Sequence, residues 1–486
     1  MTTRPLRALV FLSVLGLAAA TQALQSESAS VPGDPTVDAP IAAAELRAHV
    51  QALSSDALLG RPMGSDESLA AAEYVASRLE AAGLVGGADE GSFLQEVPLV
   101  RRTYTDVPEI RATLASGETE TLYLGEDFSF QTGLAAPDGR TLRCVMVRQP
   151  EDIPAEADPD VALILATSAL RARRWLEEAG FPRGRGFGLR LVPKKAKSRD
   201  RVVPGPGRLD SPRTQDEPVQ VSLRGGWSEV MASGDVASVT FVSHAEVEED
   251  LDVNVVGVLA GAGLPDRPGA AGEVVVLTAH RDHIGVDRRI EASDPDTDAI
   301  RNGADDDASG CAAILEIAEA LALGERPART TVFVFVTGEE SGMVGSRYWV
   351  ANPTHSLEAV VAALNFEMLG RPDDVVGGAG NVWLTGYERS NLGPGLRGRG
   401  IGVHADPRLE KGFFTRSDNV SFARAGIVAQ TLSTFGGHRD YHRVTDEWDT
   451  LDYDHMETSV GLCLRAVRAL AAGDWSPAWN EGEPRL

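Results

Sequence analysis

The sequence predicts an α/β protein, layered on a largely parallel central sheet and interrupted by an inserted β-rich block. Three observations carry this. After Asp252, apolar or β-branched runs of strand length (255–259, 274–279, 331–336, 360–366 and 427–432) alternate with helical stretches around 310–323 and 455–471. Between about 104 and 246 that alternation gives way to short β-like runs separated by Pro- and Gly-rich loops. Four of the later runs deliver a His or a carboxylate near their C-terminal ends, where open α/β sheets gather their sites.

In chain order, Arg4 and Arg7 precede an apolar run from Ala8 to Ala20 that is short for a membrane span, so 1–23 reads as a cleaved signal peptide. The Ser-, Pro- and Asp-rich residues 24–40 read as a flexible lead-in. A helix is expected over 41–53, then a turn at Gly60-Arg61-Pro62. A second helix, with Asp66 as N-cap and Leu69, Ala72, Tyr74, Val75 and Leu79 apolar, is expected to stop at Gly83. In the block, strands are expected at 120–124, 144–147, 161–165, 219–223 and 239–242, with a helix over 169–179. The eight basic residues between Arg183 and Arg201 read as a solvated loop rather than an anion-binding patch. The expected division is a catalytic unit of 41–103 plus 247–475 and an inserted unit of 104–246.

Composition narrows the function. The 486 residues are 43% hydrophobic and 24% charged, which is ordinary for a globular chain, and suffice for two domains. A net charge of −25 argues against a nucleic-acid surface. No segment after the first is long and apolar enough to cross a bilayer, so no stable span is expected once the signal is removed. Cys144, Cys311 and Cys463 are odd in number and far apart, which implies neither a disulfide framework nor a Cys-type zinc site.

The chemistry centres on Asn302-Gly303-Ala304-Asp305-Asp306-Asp307-Ala308-Ser309-Gly310. Three consecutive carboxylates against an apolar helix need a compensating charge such as a metal ion, or else form a solvated turn capping that helix. The run 274–279 ends in His280-Arg281-Asp282-His283, 331–336 leads to Glu339-Glu340, 360–366 runs into Glu367, and 427–432 is followed by Tyr441-His442. Two His and several carboxylates at one sheet edge match what a pair of zinc ions requires.

These motifs, in this order, resemble the co-catalytic di-zinc metallopeptidases that include bacterial leucyl aminopeptidases, glutamate carboxypeptidase and the related glutaminyl cyclases. The resemblance covers roughly 41–100 and 252–470. It implies a three-layer α/β/α, phosphorylase/hydrolase-like fold, two zinc ions, and peptide substrates with free N-termini. By this resemblance His280, Asp306 and Glu367 hold one zinc, and Asp306, Glu340 and His442 the other. Asp282 orients the His280 imidazole, Glu339 is the general base, Tyr441 assists the oxyanion, and the Asp306–Asp307 peptide is cis. Glu367 stands where the family commonly has Asp, and Asn419 where many relatives have His. Asp446 is expected to be a structural hydrogen-bonder. His283, His355, His404, His438 and His455 lack a motif position and read as ordinary histidines.

The resemblance also implies that 104–246 is a protease-associated-like domain and the whole an exported aminopeptidase. A glutamate-carboxypeptidase-like exopeptidase would need an Arg for the substrate carboxylate. A glutaminyl-cyclase-like aminoacyltransferase would use one zinc. A non-catalytic receptor would be expected to have lost ligands or the base.

Overall fold

A computed structural model describes residues 41–485 except 105–107, 124–126, 133–138, 167–168, 182–186, 194–207, 211–218, 224–225, 243–244 and 295. The expected signal peptide, the lead-in and most of the basic loop lie outside the described residues.

Ten strands form one mixed sheet. Its six main members are β1 (Leu94–Tyr104), β2 (Ala245–Leu259), β3 (Val274–His280), β4 (Thr330–Val336), β5 (Val360–Glu367) and β6 (Ala429–Ser433). They lie side by side in the order β6-β5-β3-β4-β2-β1. The parallel pairing expected of the central sheet joins β6, β5, β3 and β4, and recurs between the short strands Trp383–Leu384 and His404–Ala405 beyond β6. The long strands β1 and β2 are antiparallel, paired from Leu94↔Val255 to Tyr104↔Ala245, because the chain leaves along one and returns along the other.

Side chains alternate across the central strands. Val275, Leu277, Ala279, Phe333 and Phe335 face helices α1 (Ala43–Leu53), α2 (Asp66–Ala81), α3 (Gly310–Leu323) and α6 (Tyr453–Ala471). Val274, Val276, Val332 and Val334 face α4 (Val344–Ala351) and α5 (Asn419–Arg424) through Trp349 and Phe422. Helices therefore cover both faces, as the α/β/α expectation required. The N-cap of α2 is Ser65 rather than Asp66: Ser65 is extended and its Oγ accepts the Ser68 N–H at 3.0 Å, which leaves Asp66 as the first helical residue.

A second, eight-stranded sheet is drawn entirely from strands between Glu109 and Val242. It has its own apolar clusters, into which helices Ala169–Glu178 and Gly226–Ser233 pack. One short strand from the same stretch, Arg208–Asp210, instead pairs onto the outer edge of β1.

Below the C-terminal ends of β3 and β4 lies a fully buried ion pair, Arg281–Asp252. Burial works against the Asp252 carboxylate, but Arg281 and hydrogen bonds from Thr337 Oγ1, Gly64 N, Val253 N and Ser68 Oγ hold its pKa below the usual range. This joins α2 and β2 to the strand that carries His280. Asp252→Ala strands a buried guanidinium and is expected to cost about 3–5 kcal/mol of unfolding free energy, measured by urea titration.

Candidate metal centre

The three aspartates face three directions. Asp305 Oδ1 accepts the Gly370 N–H at 2.7 Å, and its Oδ2 lies 3.1 Å from both Arg371 Nη1 and His438 Nε2. Asp307 Oδ1 accepts from Gly310 N at the start of α3 and from Met368 N, at 3.1 and 3.0 Å. All three are buried, so neither a solvated turn nor a metal alone accounts for the stretch. His438, Arg371 and the Gly370 amide compensate Asp305, backbone amides bond Asp307 although burial still lifts its carboxyl well above the usual range, and Asp306 is left for chemistry. Gly310 is required here, because a Cβ would stand 2.4 Å from Asp307 Oδ1 and 2.5 Å from the Phe366 carbonyl. The Asp306–Asp307 peptide is cis, as the resemblance implied. Asp446 takes its expected structural place, accepting from Asp305 N and Asp306 N and pairing with Arg371 at 2.9 Å.

Asp306 points into the space between the strand ends. Its Oδ1 is 3.2 Å from His280 Nε2, and its Oδ2 is 3.2 Å from His442 Nε2. His442 Nε2 is also 3.2 Å from Glu340 Oε1. Two groups of donor atoms lie within 4.8 Å of one another: His280, Asp306 and Glu367, and His283, Asp306 and Glu340. Ligands about 2.0–2.1 Å from a tetrahedral zinc stand roughly 3.3 Å apart, so these separations suit metal bonds. Chemistry agrees with geometry: His280 Nε2, His442 Nε2, both His283 nitrogens and Glu340 Oε1 are buried and make no hydrogen bond. The donor set fits a borderline metal of the zinc kind, with Asp306 common to both positions.

Every site residue expected from the sequence reaches this centre. Glu367 joins the first group despite its extra methylene. The Asp282 carbonyl lies 3.0 Å from His280 Nδ1, while the Asp282 carboxylate is 3.8 Å from that nitrogen and accepts the Glu339 N–H at 3.1 Å. The carboxylate, expected to orient the imidazole, thus positions the Glu339 turn, and the hydrogen-bond contact with the ring is made by the Asp282 backbone carbonyl instead. Glu339 and Tyr441 line an open cleft beside Asp306 and Glu367, walled by Trp383, Phe413 and Phe435, with the exposed Arg416. Tyr441 stacks on His442 at 3.9 Å between ring centroids. His283, read from sequence as ordinary, is in contact with Glu340 at 2.9 Å. Its place three residues after His280, on the same strand-end loop, brings it to the centre but does not by itself mark it as a ligand.

Desolvation in the cleft lifts the Glu339 carboxyl well above its usual range and Glu367 to about 7. Asp306 goes the other way: burial opposes its charge, but contact with His280 and His442 holds it well below that range. Burial likewise opposes a charged His442, and the Asp306 and Glu340 contacts override it, to about 9.

At the edge of the site, Asn302 Nδ2 donates to Glu447 Oε1 at 3.0 Å and to Asp56 Oδ1 at 2.7 Å. Burial, helped by nearby carboxylates, raises Glu447 from 4.5 to about 7. A carboxyl raised in the fold contributes no penalty below its unfolded value and weakens the fold as pH climbs through the folded one. Glu447→Gln is therefore expected to raise Tm at pH 8 by on the order of 1 °C and to leave it unchanged at pH 4, as read by thermal melts.

Residues 254–467 match the family model described as Peptidase family M28. A leucine aminopeptidase 1 from Ajellomyces capsulatus is 29% identical over 222 residues, 43% of this chain and 55% of that protein. A probable zinc metalloprotease from Pyricularia oryzae is 37% identical over 118 residues, 24% of this chain and 21% of that protein. The chain thus spans about half the length of the first relative and less of the second. The solved structure of an aminopeptidase from Aneurinibacillus sp. strain AM-1 shares the fold, with a TM-score of 0.57 at 17% identity over 92% of this chain and 97% of that one. The motifs at the strand ends, from His280 to His442, fall inside the matched segment, and it is this part of the chain, residues 254–467, that is similar to peptidase family M28.

Proposed function

We propose that the protein is a di-zinc aminopeptidase that removes N-terminal residues from peptides. The observation that carries this reading is Asp306, whose two oxygens each meet a different histidine, with Glu339 and the open cleft beside it. The names of the fungal relatives, a leucine aminopeptidase and a probable zinc metalloprotease, support the same activity and metal.

His280, Asp306 and Glu367 would hold one zinc, and Asp306, Glu340 and His442 the other. When bound, such a pair acidifies a water towards neutrality and polarises the scissile carbonyl. Glu339 takes the proton of the attacking water and hands it to the leaving amine, which suits a carboxyl whose proton affinity its surroundings raise. The Asp282 carboxylate holds the Glu339 backbone in place for this. Tyr441, on the cleft wall, hydrogen-bonds the oxygen that gains charge during attack. Glu367 offers negative charge to the substrate's α-ammonium. The aromatic walls of Trp383, Phe413 and Phe435 take the apolar first side chain.

The unit 104–246 is read as an inserted domain, which its separate sheet and apolar clusters support. Export rests on the charged and apolar residues at 4–20. Among the described residues no helix is long and apolar enough to cross a membrane.

The test is release of free leucine by zinc-loaded protein from Leu-Gly-Gly, its C-terminal amide and its N-acetylated form. Cleavage of the first two and not the third is the expected result. Release from none of them, with metal bound, would overturn the reading. Arg416 at the cleft favours one second reading, a carboxypeptidase that holds a substrate carboxylate; that enzyme would cleave acetylated peptides and reject amides.

A further inference from the structure

We propose that His283 is a fourth protein ligand of the metal held by Asp306, Glu340 and His442, so that the two metal positions are unequal, one closed and one open. This rests on the di-metal reading above and refines its ligand set.

His283 places an imidazole in an unusual setting. The His283 side chain is fully buried, and neither ring nitrogen makes a hydrogen bond. A buried, unsatisfied imidazole is costly, and the common ways of satisfying it are a polar partner, a water or a metal. Nδ1 lies 2.9 Å from Glu340 Oε1 and 4.0 Å from Asp306 Oδ2. His442 Nε2 lies 3.2 Å from each of those same oxygens. Two imidazole nitrogens thus address one pair of carboxylate oxygens. These four separations are edges of a distorted tetrahedron, whose ideal edge around zinc is roughly 3.3 Å. The rings of His283 and His442 meet edge to face with centroids 5.5 Å apart, as two imidazoles converging on one point would.

The backbone is shaped to seat this ring. His283 N–H donates to the Arg61 carbonyl at 3.3 Å. Gly303 packs on the ring with φ of 60°, and a Cβ there would fall 2.5 Å from His283 Cγ. The residue that opens the Asp305–Asp307 turn therefore leaves the space that the ring fills.

The consequence is asymmetry. Four protein donors close a tetrahedral zinc, whereas His280, Asp306 and Glu367 leave a position free on the other side. The closed position fills first and empties last. The open position, which faces the cleft through Glu367, is the exchangeable one.

The experiment is zinc-edge X-ray absorption on metal-free protein given one, then two, equivalents of zinc, together with calorimetric titration. Wild-type protein with one equivalent is expected to show two imidazoles on the metal. His283→Phe keeps a ring in the slot without its nitrogens; it is expected to show one imidazole and to bind the first equivalent at least about tenfold more weakly. The rise in Tm caused by that first equivalent shrinks in the variant, a change that a purely structural histidine would not produce. If His283→Phe does not fold, His283→Gln replaces it, and the wild-type spectrum decides in any case. One imidazole on the first zinc of wild-type protein, with unchanged affinity in the variant, would overturn the proposal and leave the di-metal reading standing. Binding of neither equivalent would overturn both.

Discussion

Glu339→Gln is expected to lower kcat on Leu-Gly-Gly by about 10²–10⁴-fold, the usual contribution of a positioned general base. Bound zinc and KM should stay near their wild-type values, because Glu339 belongs to neither donor group. The substitution keeps the side chain's size and its place on the cleft wall, and the turn is held by a backbone bond from Glu339 N to Asp282 that the change does not touch. What is removed is the capacity to carry a proton. Kinetics combined with elemental analysis of the same sample make the check. Metal lost along with activity would reassign Glu339 as a ligand, and activity retained would remove it from the mechanism.

Asp306→Ala is expected to abolish activity and metal binding together. Asp306 is the only residue common to both donor groups, so its loss opens both positions at once. Removing an outer-shell partner costs roughly 10–100-fold in metal affinity, and loss of a shared ligand is expected to exceed that for each ion. Dialysed protein should then elute from gel filtration with little zinc, whereas Glu367→Ala should lose metal from one position only. Retention of both metals by Asp306→Ala would refute a shared carboxylate. The fold should survive, because Asp305 and Asp307, not Asp306, make the hydrogen bonds to Gly370, Gly310 and Met368.

Much of this centre was legible in the sequence because sheet geometry converts linear position into place. A His or carboxylate just past the end of a parallel strand arrives at the same edge as those past its neighbours. His280, Glu339, Glu340 and Glu367 all follow that rule on β3, β4 and β5. His442 comes from a loop well beyond β6, and only its motif placed it. His283 escaped because nothing in its type or spacing separates a ligand from a buried ring; that difference lies in the 2.9 Å to Glu340 and in the empty side of Gly303. The antiparallel β1–β2 ribbon was likewise invisible as a pair, since its partners lie some 150 residues apart and local periodicity says nothing of such distant pairing.

The sequence by itself determined the α/β class, the alternation that buries both faces of β3 and β4, and the set of residues able to bind metal and move a proton. These follow from periodicity and side-chain chemistry, which are local properties. Only the tertiary structure decided how three adjacent aspartates divide their work. Asp305 turned to Arg371, Asp307 to Met368 N and Asp306 to the histidines because each found a different partner brought in from a distant part of the chain. Burial penalises a carboxylate without such a partner, so the fold's arrangement of cations and amides, rather than the sequence of the turn, selected the one left free for a metal.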